Sequence, residues 1–138
     1  MADRLRLELA TPTRLVVSEA ADEVVVPGID GHFGVLPGHA ALLALVGPGE
    51  VMYRAGRSER YLAVSGGFAE VGPDHVTILA ETAERPEEID VSRARTARER
   101  AEGRLTGRRD EDVDYSRALQ ALARAQVRLQ VAGRPAGS

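Results

Sequence analysis

The sequence contains no cysteine, no lysine and no tryptophan, and each absence removes a class of chemistry. Without cysteine, the chain has neither a disulfide framework nor a thiol nucleophile. All 18 basic residues are arginine, so no lysine is available for a Schiff base or for a P-loop. Aromatic residues make up only 4% of the 138 residues, and the formal net charge is −3. These two values argue against a nucleic-acid-binding protein.

Long apolar runs are also missing. No stretch approaches the roughly 20 apolar residues that a membrane-spanning helix requires. The opening residues, MADRLRLELA, alternate charge with leucine and contain acids, so we expect neither a signal peptide nor a transit peptide.

Charge is distributed unevenly between the two parts of the chain. Residues 1–89 contain seven arginines and fourteen acidic residues, whereas residues 90–138 contain eleven arginines and seven acidic residues. This asymmetry predicts two surfaces with different partners.

Residues 1–86 have the short alternating pattern of β-strands. Leu5, Leu7 and Leu9 alternate with charged residues, and turn signals occur at 56–58 and 73–74. ERYLAVS (59–65) and GFAEVG (67–72) predict separate strands on either side of the Gly66-Gly67 pair. We predict an all-β sandwich or flattened barrel of about ten strands. The segment HAALLALV (39–46) is compatible with either a strand or a short helix.

Residues 87–138 predict an antiparallel α-helical hairpin, so the fold class is α+β with two domains. Asp90 is a candidate N-cap, and Gly107 lies near the turn between the helices. Small residues recur on one face of each helix, at Ala94, Ala97, Ala101 and Leu105 and at Ala118, Ala121, Ala125 and Leu129. Because alanines bury little apolar area, we expect this hairpin to be marginally stable on its own.

A glycine-rich segment, PGIDGHFGVLPGHA (27–40), could cradle a phosphate, hold a metal or form a turn. Phosphate loops need a lysine or a Rossmann glycine spacing, and both are absent. Asp30, His32 and His39 lack the spacing of a metal site, so we predict no metal. No serine lies in a nucleophile-elbow context, so we expect no catalytic residues. The turn interpretation remains, with a rigid surface between strands that suits docking.

These segments resemble the epsilon subunit of bacterial F-type ATP synthase. The resemblance covers VVVPGIDGHFGVLPGHAALLALVGPGEV (24–51), YLAVSGGFAEV (61–71) and HVTILAETA (75–83), and then the pattern of both helices. It implies a β-sandwich that contacts the gamma subunit and the c-ring. It also implies a hairpin that either folds on the sandwich or extends toward the catalytic alpha/beta hexamer and inhibits ATP hydrolysis.

The resemblance also implies three sets of site residues. The candidate gamma and c-ring contacts are Gly31, His32, Phe33, Gly34, Pro37 and His39. The candidate ATP-binding residues are Glu84, Ile89, Asp90, Arg93, Ala94, Arg100, Arg124 and Arg128. The candidate inhibitory contacts with an acidic segment of the beta subunit are Arg108, Arg109, Arg117, Arg124 and Arg128.

His32 stands where many relatives carry an acidic residue. A c-ring contact that relies on negative charge at that position is therefore not expected, or becomes sensitive to pH.

We therefore expect a non-catalytic rotor subunit of a proton-translocating ATP synthase, held on the cytoplasmic side of the bacterial cell membrane through the complex. The expected partners are the gamma subunit, the c-ring and the alpha/beta hexamer, with no nucleic acid. No cofactor is required, and ATP is a possible regulatory ligand. The alternative is a stand-alone ATP-sensing module, which would bind ATP but not gamma.

Overall fold

The computed structural model describes residues 4–107 and 114–136. Within these residues, eight strands precede two helices. The strands are β1 (Leu5–Ala10), β2 (Leu15–Ala21), β3 (Glu23–Gly28), β4 (Gly31–Val35), β5 (Leu42–Leu45), β6 (Gly49–Ala55), β7 (Ser58–Val71) and β8 (His75–Glu84). The helices are α1 (Val91–Thr106) and α2 (Tyr115–Ala132), and a single 3-10 turn at Pro86–Glu88 precedes α1.

The strands form one folded-over sheet around a single apolar core. Their order is β2-β1-β8-β7-β6-β3-β4, with β5 on β7, and β1–β8 is the parallel pair among antiparallel ones. Leu5, Leu7 and Leu9 are all buried in this core, as their alternation predicted. The β-sandwich prediction is confirmed.

Eight strands form in the described residues rather than the predicted ten or so, and one reason is that β7 is continuous. The sequence suggested separate strands before and after Gly66-Gly67, but β7 runs through both glycines, whose φ angles are 49° and 124°. Before the two glycines, the even-numbered residues of β7, such as Leu62, point their side chains into the core. After the glycines, the odd-numbered residues, such as Ala69, do so. The glycines therefore change which face of the strand is outward without ending it.

The glycine-rich segment contains two turns with a strand between them, so the predicted turn accounts for only part of it. Pro27 and Gly28 end β3, Ile29 and Asp30 form the tight turn of the β3–β4 hairpin, and the edge strand β4 follows. In the second turn, after β4, the His39 amide donates to the Leu36 carbonyl over 3.1 Å. Pro37 and Gly38, with φ 91°, have the pattern of a type II turn. The ambiguous segment that follows contains a strand, β5.

The two helices pack against each other through their small residues, as predicted. Ala94 and Ala101 of α1 and Ala118 and Ala125 of α2 are buried. The side chain of Asp90 accepts a hydrogen bond from the Arg93 amide over 3.0 Å, so the N-cap prediction is confirmed.

A second, small apolar cluster joins the hairpin to the sheet. We call it the docking cluster; its buried members are Ala63, Ile89 and Val131, with Tyr61, Val127 and Ala132 packed against them. It is separate from the main core, so the hairpin and the sandwich are stabilised by different contacts. Neither α1 nor α2, the helices of the described ranges, is long and apolar enough to cross a membrane.

Candidate functional site

A cleft of about 500 Å³ lies between the hairpin and strands β7 and β8. Its floor includes Ser65 and Thr82, which face each other across the two strands and share a hydrogen bond between their hydroxyls. The helix side is lined by Ala97, Ala121 and Ala125, whose small side chains leave the space open.

Arginines give the cleft its positive charge. Arg93 and Arg124 both line it, and neither has an ion-pair partner among the residues that the structure describes. Arg128 is engaged differently, because its Nε and Nη2 atoms donate to the two carboxylate oxygens of Glu84 over 2.7 and 3.2 Å. Two uncompensated guanidinium groups facing a partly enclosed space are suited to bind an anion such as a phosphate.

The structure brings together half of the predicted nucleotide residues. Glu84, Arg93, Arg124 and Arg128 line the cleft. The others are Ile89 in the docking cluster, Asp90 at the helix N-cap, Ala94 in the seam between the helices and the exposed Arg100. Arg100 follows Arg93 by seven residues, which places it about 10 Å farther along α1 on the same face.

An ion pair that the sequence does not predict anchors the segment between the sheet and the hairpin. Arg14 donates to both carboxylate oxygens of Glu88 over 2.8 and 3.0 Å and to the Ala83 carbonyl over 3.1 Å. The hydrogen bond from Arg14 lowers the pKa of Glu88 below its ordinary value. No local pattern indicates this pair, because 74 residues separate its members.

The residues predicted to contact gamma and the c-ring are spread along one edge of the sheet and are not gathered in one loop. Gly31, His32, Phe33 and Gly34 belong to the edge strand β4, where Phe33 packs on the core while the other three are exposed. Pro37 and His39 lie in the following turn; the His39 Nδ1 atom is 2.6 Å from the Ala40 carbonyl oxygen.

A continuous apolar row crosses the outer face of five neighbouring strands, and the sequence did not predict it. Leu45 pairs with Phe68, Phe68 with Leu79, Leu79 with Ala10, and Ala10 with Leu15. The four large side chains are 46% to 59% exposed, so the row is open to a partner.

The arginines predicted to contact the beta subunit differ in availability. Arg117 and Arg124 are exposed on α2, whereas Arg128 is paired with Glu84. Arg108 and Arg109 lie outside the described residues. Among residues 4–107 and 114–136, His, Asp and Glu side chains form no group that could hold a metal ion.

Two family models match the chain in succession. The β-sandwich domain of the ATP synthase delta/epsilon chain matches residues 4–86, and the long α-helix domain of the same family matches residues 87–133. Similar curated proteins include the ATP synthase epsilon chain of Koribacter versatilis, which is 54% identical over 76% of this chain and 74% of its own length. The ATP synthase epsilon chain 2 of Syntrophotalea carbinolica is 49% identical over 97% of both chains.

Solved structures show the same architecture. A chain of the Euglena gracilis mitochondrial ATP synthase, in a cryo-EM structure of OSCP, F1 and c-ring, superposes with a TM-score of 0.83 at 26% identity, over 97% of this chain and 84% of that one. A chain from the central stalk and c-ring of the Tetrahymena thermophila enzyme has a TM-score of 0.65 at 13% identity, over 95% and 98%, and shows the fold alone. The resemblance noted in the sequence is thus confirmed over nearly the whole chain, which belongs to the epsilon chain family of ATP synthase.

Proposed function

We propose that this chain is a non-catalytic subunit of the ATP synthase central stalk, bound to the membrane only through the complex. It couples rotation of the c-ring to the catalytic head, and its hairpin inhibits ATP hydrolysis when it leaves the sheet. The observation that carries this proposal is the separation of the docking cluster from the main core, within a chain that belongs to the epsilon family. The hairpin can therefore undock without unfolding the sandwich.

The apolar row supports docking on the gamma subunit. Burial of one phenylalanine of this kind contributes about 1.5–3 kcal/mol, so Phe68→Ser should weaken binding of gamma about 10- to 100-fold. Leu119→Ser is the matched control, because Leu119 is 56% exposed on α2 and lies outside the row. Equal affinity of the two variants for purified gamma would exclude the row as the docking surface. A chain that bound ATP but not gamma would favour the alternative, a stand-alone nucleotide sensor.

The inhibitory role is tested by removing residues 90–138 and reconstituting the ATP synthase with the shortened chain. We expect faster ATP hydrolysis with unchanged assembly, because the apolar row remains on the sandwich. The full-length chain is the control. Unchanged hydrolysis after truncation would exclude inhibition by the hairpin.

ATP is the regulatory ligand that we assign to the cleft. The unpaired Arg93 and Arg124 would bind phosphate oxygens, and the hydroxyls of Ser65 and Thr82 offer further hydrogen bonds at the floor. Because both the sheet and the hairpin line the cleft, a ligand there favours the folded form by RT ln(1 + [ATP]/Kd). ATP would thus oppose the extended, inhibitory state.

Calorimetry with the isolated chain tests this ligand. A hydrogen bond to a charged group contributes about 1.5–3 kcal/mol, so Arg93→Gln and Arg124→Gln should each weaken ATP binding at least about 10-fold. Arg98→Gln is the control, because Arg98 pairs with Glu102 on α1 and does not line the cleft. Equal binding by all three variants would exclude the cleft as the nucleotide site.

A further inference from the structure

A second contact between hairpin and sheet lies beyond the end of α2, outside the cleft and beside the docking cluster, with which it shares Tyr61. After Ala132 the chain turns, with the Arg134 amide donating to the Val131 carbonyl over 2.9 Å. The turn directs the Arg134 side chain to strand β6, where its Nε and Nη2 atoms donate to the two carboxylate oxygens of Glu50 over 2.9 and 3.1 Å.

The same guanidinium group also covers an aromatic ring. The Arg134 Cζ atom lies 4.6 Å from the centroid of Tyr61 on β7, a cation–π distance. The Tyr61 hydroxyl donates to Glu59 over 2.7 Å, and this hydrogen bond raises the pKa of Tyr61. Two side chains from two neighbouring strands, Glu50 of β6 and Tyr61 of β7, therefore fix the orientation of one arginine.

The burial of the two charged partners differs. The side chain of Glu50 is only 12% exposed, whereas that of Arg134 is 41% exposed. With the hairpin docked, the Arg134 cation compensates the Glu50 carboxylate, which is then mostly removed from water. A docked hairpin that lacked this cation would leave the carboxylate buried and unpaired, which is unfavourable, so Arg134 favours the docked hairpin.

We propose that Arg134, Glu50 and Tyr61 form a latch that holds the hairpin on the sheet in the absence of nucleotide. The latch sets the fraction of extended hairpin in the absence of nucleotide, and ATP in the cleft lowers that fraction further. None of its three side chains lines the cleft, so latch and ligand act through separate contacts of the same hairpin. The latch rests on the proposed hairpin switch for its effect on the enzyme, but its effect on docking can be measured in the isolated chain.

The first test is hydrogen exchange of the α2 amides in the full-length isolated chain without nucleotide. Glu50→Gln removes one charge and keeps the shape, and we expect about 2- to 5-fold faster exchange, the effect of an ion pair of good geometry near the surface. Arg134→Gln should have a larger effect, because it leaves Glu50 buried and unpaired. Arg134→Lys should give an intermediate rate, because lysine keeps the charge but loses the bidentate fork.

Three further measurements make this test specific. Arg98→Gln removes a guanidinium group that is paired within α1 and should leave exchange unchanged. The double variant Glu50→Gln/Arg134→Gln should exchange more slowly than the sum of the two single effects predicts, because both substitutions remove the same interaction. Added salt should speed exchange in the wild type more than in the double variant. Equal exchange in wild type, Glu50→Gln and Arg134→Gln would overturn the latch.

A second measurement separates the latch from the inhibitory function. In the reconstituted ATP synthase without added effectors, Arg134→Gln should lower ATP hydrolysis, because more hairpin is free to extend. Faster exchange in the isolated chain together with unchanged hydrolysis would support the latch and contradict the inhibitory role. Unchanged exchange would contradict the latch whatever the hydrolysis rate.

Discussion

Replacing Val131 with alanine should release the hairpin while leaving the sandwich intact. Val131 is fully buried in the docking cluster, and the main core does not contain it. The substitution removes two buried carbon groups at about 0.8 kcal/mol each and leaves a small cavity, which together cost about 2 kcal/mol. Alanine is the better helix former by about 0.5 kcal/mol. The net loss of about 1.5 kcal/mol shifts the docking equilibrium roughly ten-fold toward the undocked hairpin.

Hydrogen exchange in the isolated chain measures both parts of this prediction. The α2 amides of Val131→Ala should exchange roughly ten-fold faster, whereas the amides of β8 should keep their wild-type rates. Leu119→Ala is the matched control on the same helix, because Leu119 is exposed and leucine and alanine have similar helix propensities. Equally faster exchange in β8 and α2 of Val131→Ala, or exchange like that of Leu119→Ala, would show that the docking cluster does not hold the hairpin independently of the main core.

Three further predictions concern stability. Gly67→Ala should lower the free energy of unfolding of the sandwich by at least about 2 kcal/mol in chemical denaturation, because φ is 124° and the added Cβ would overlap the Leu79 carbonyl oxygen; an unchanged midpoint would contradict this. Asp90→Ala should destabilise the first turn of α1 by about 1 kcal/mol, and Asp90→Asn, which keeps the cap, should restore its hydrogen-exchange protection. The hydrogen bond with Asp74 raises the pKa of His75 above 6.5, so the stability from this contact is complete below that pH and is lost as pH rises through the folded pKa. NMR titration of the His75 ring checks this, and a pKa at or below 6.5 would contradict it.

The parts of the fold that depend on local pattern were predictable. The alternation of Leu5, Leu7 and Leu9 indicates a strand because successive side chains point to opposite faces. Asp90 indicates a helix start because an aspartate before a helical pattern can accept from the backbone amide of the third helical residue. The glycine pair in β7 was misleading, because positive φ angles allow either a turn or a change of face within a strand.

The candidate cleft was only partly predictable. Residue spacing along a helix determines which face a side chain lies on, but it does not determine at which position along the helix another element packs against that face. Arg93 and Arg100 have the spacing of one face, yet only Arg93 lines the cleft. The difference arises because the sheet reaches only part of the hairpin. Residue spacing also does not show that Glu84 pairs with Arg128, 44 residues away. That pair decides which arginines remain free for a ligand.

The apolar row, which we propose as the docking surface for gamma, could not be predicted from the pattern of any one strand. Each of its large residues is one exposed apolar side chain on its own strand, and isolated exposed leucines are common on protein surfaces. Only the cross-strand register aligns Leu45, Phe68, Leu79 and Leu15 into one line. A slip of one residue in β8 would turn Leu79 inward and break the row. Because register depends on the whole sheet, a surface of this kind follows from topology, and substitutions that preserve register should preserve docking even where they change the core.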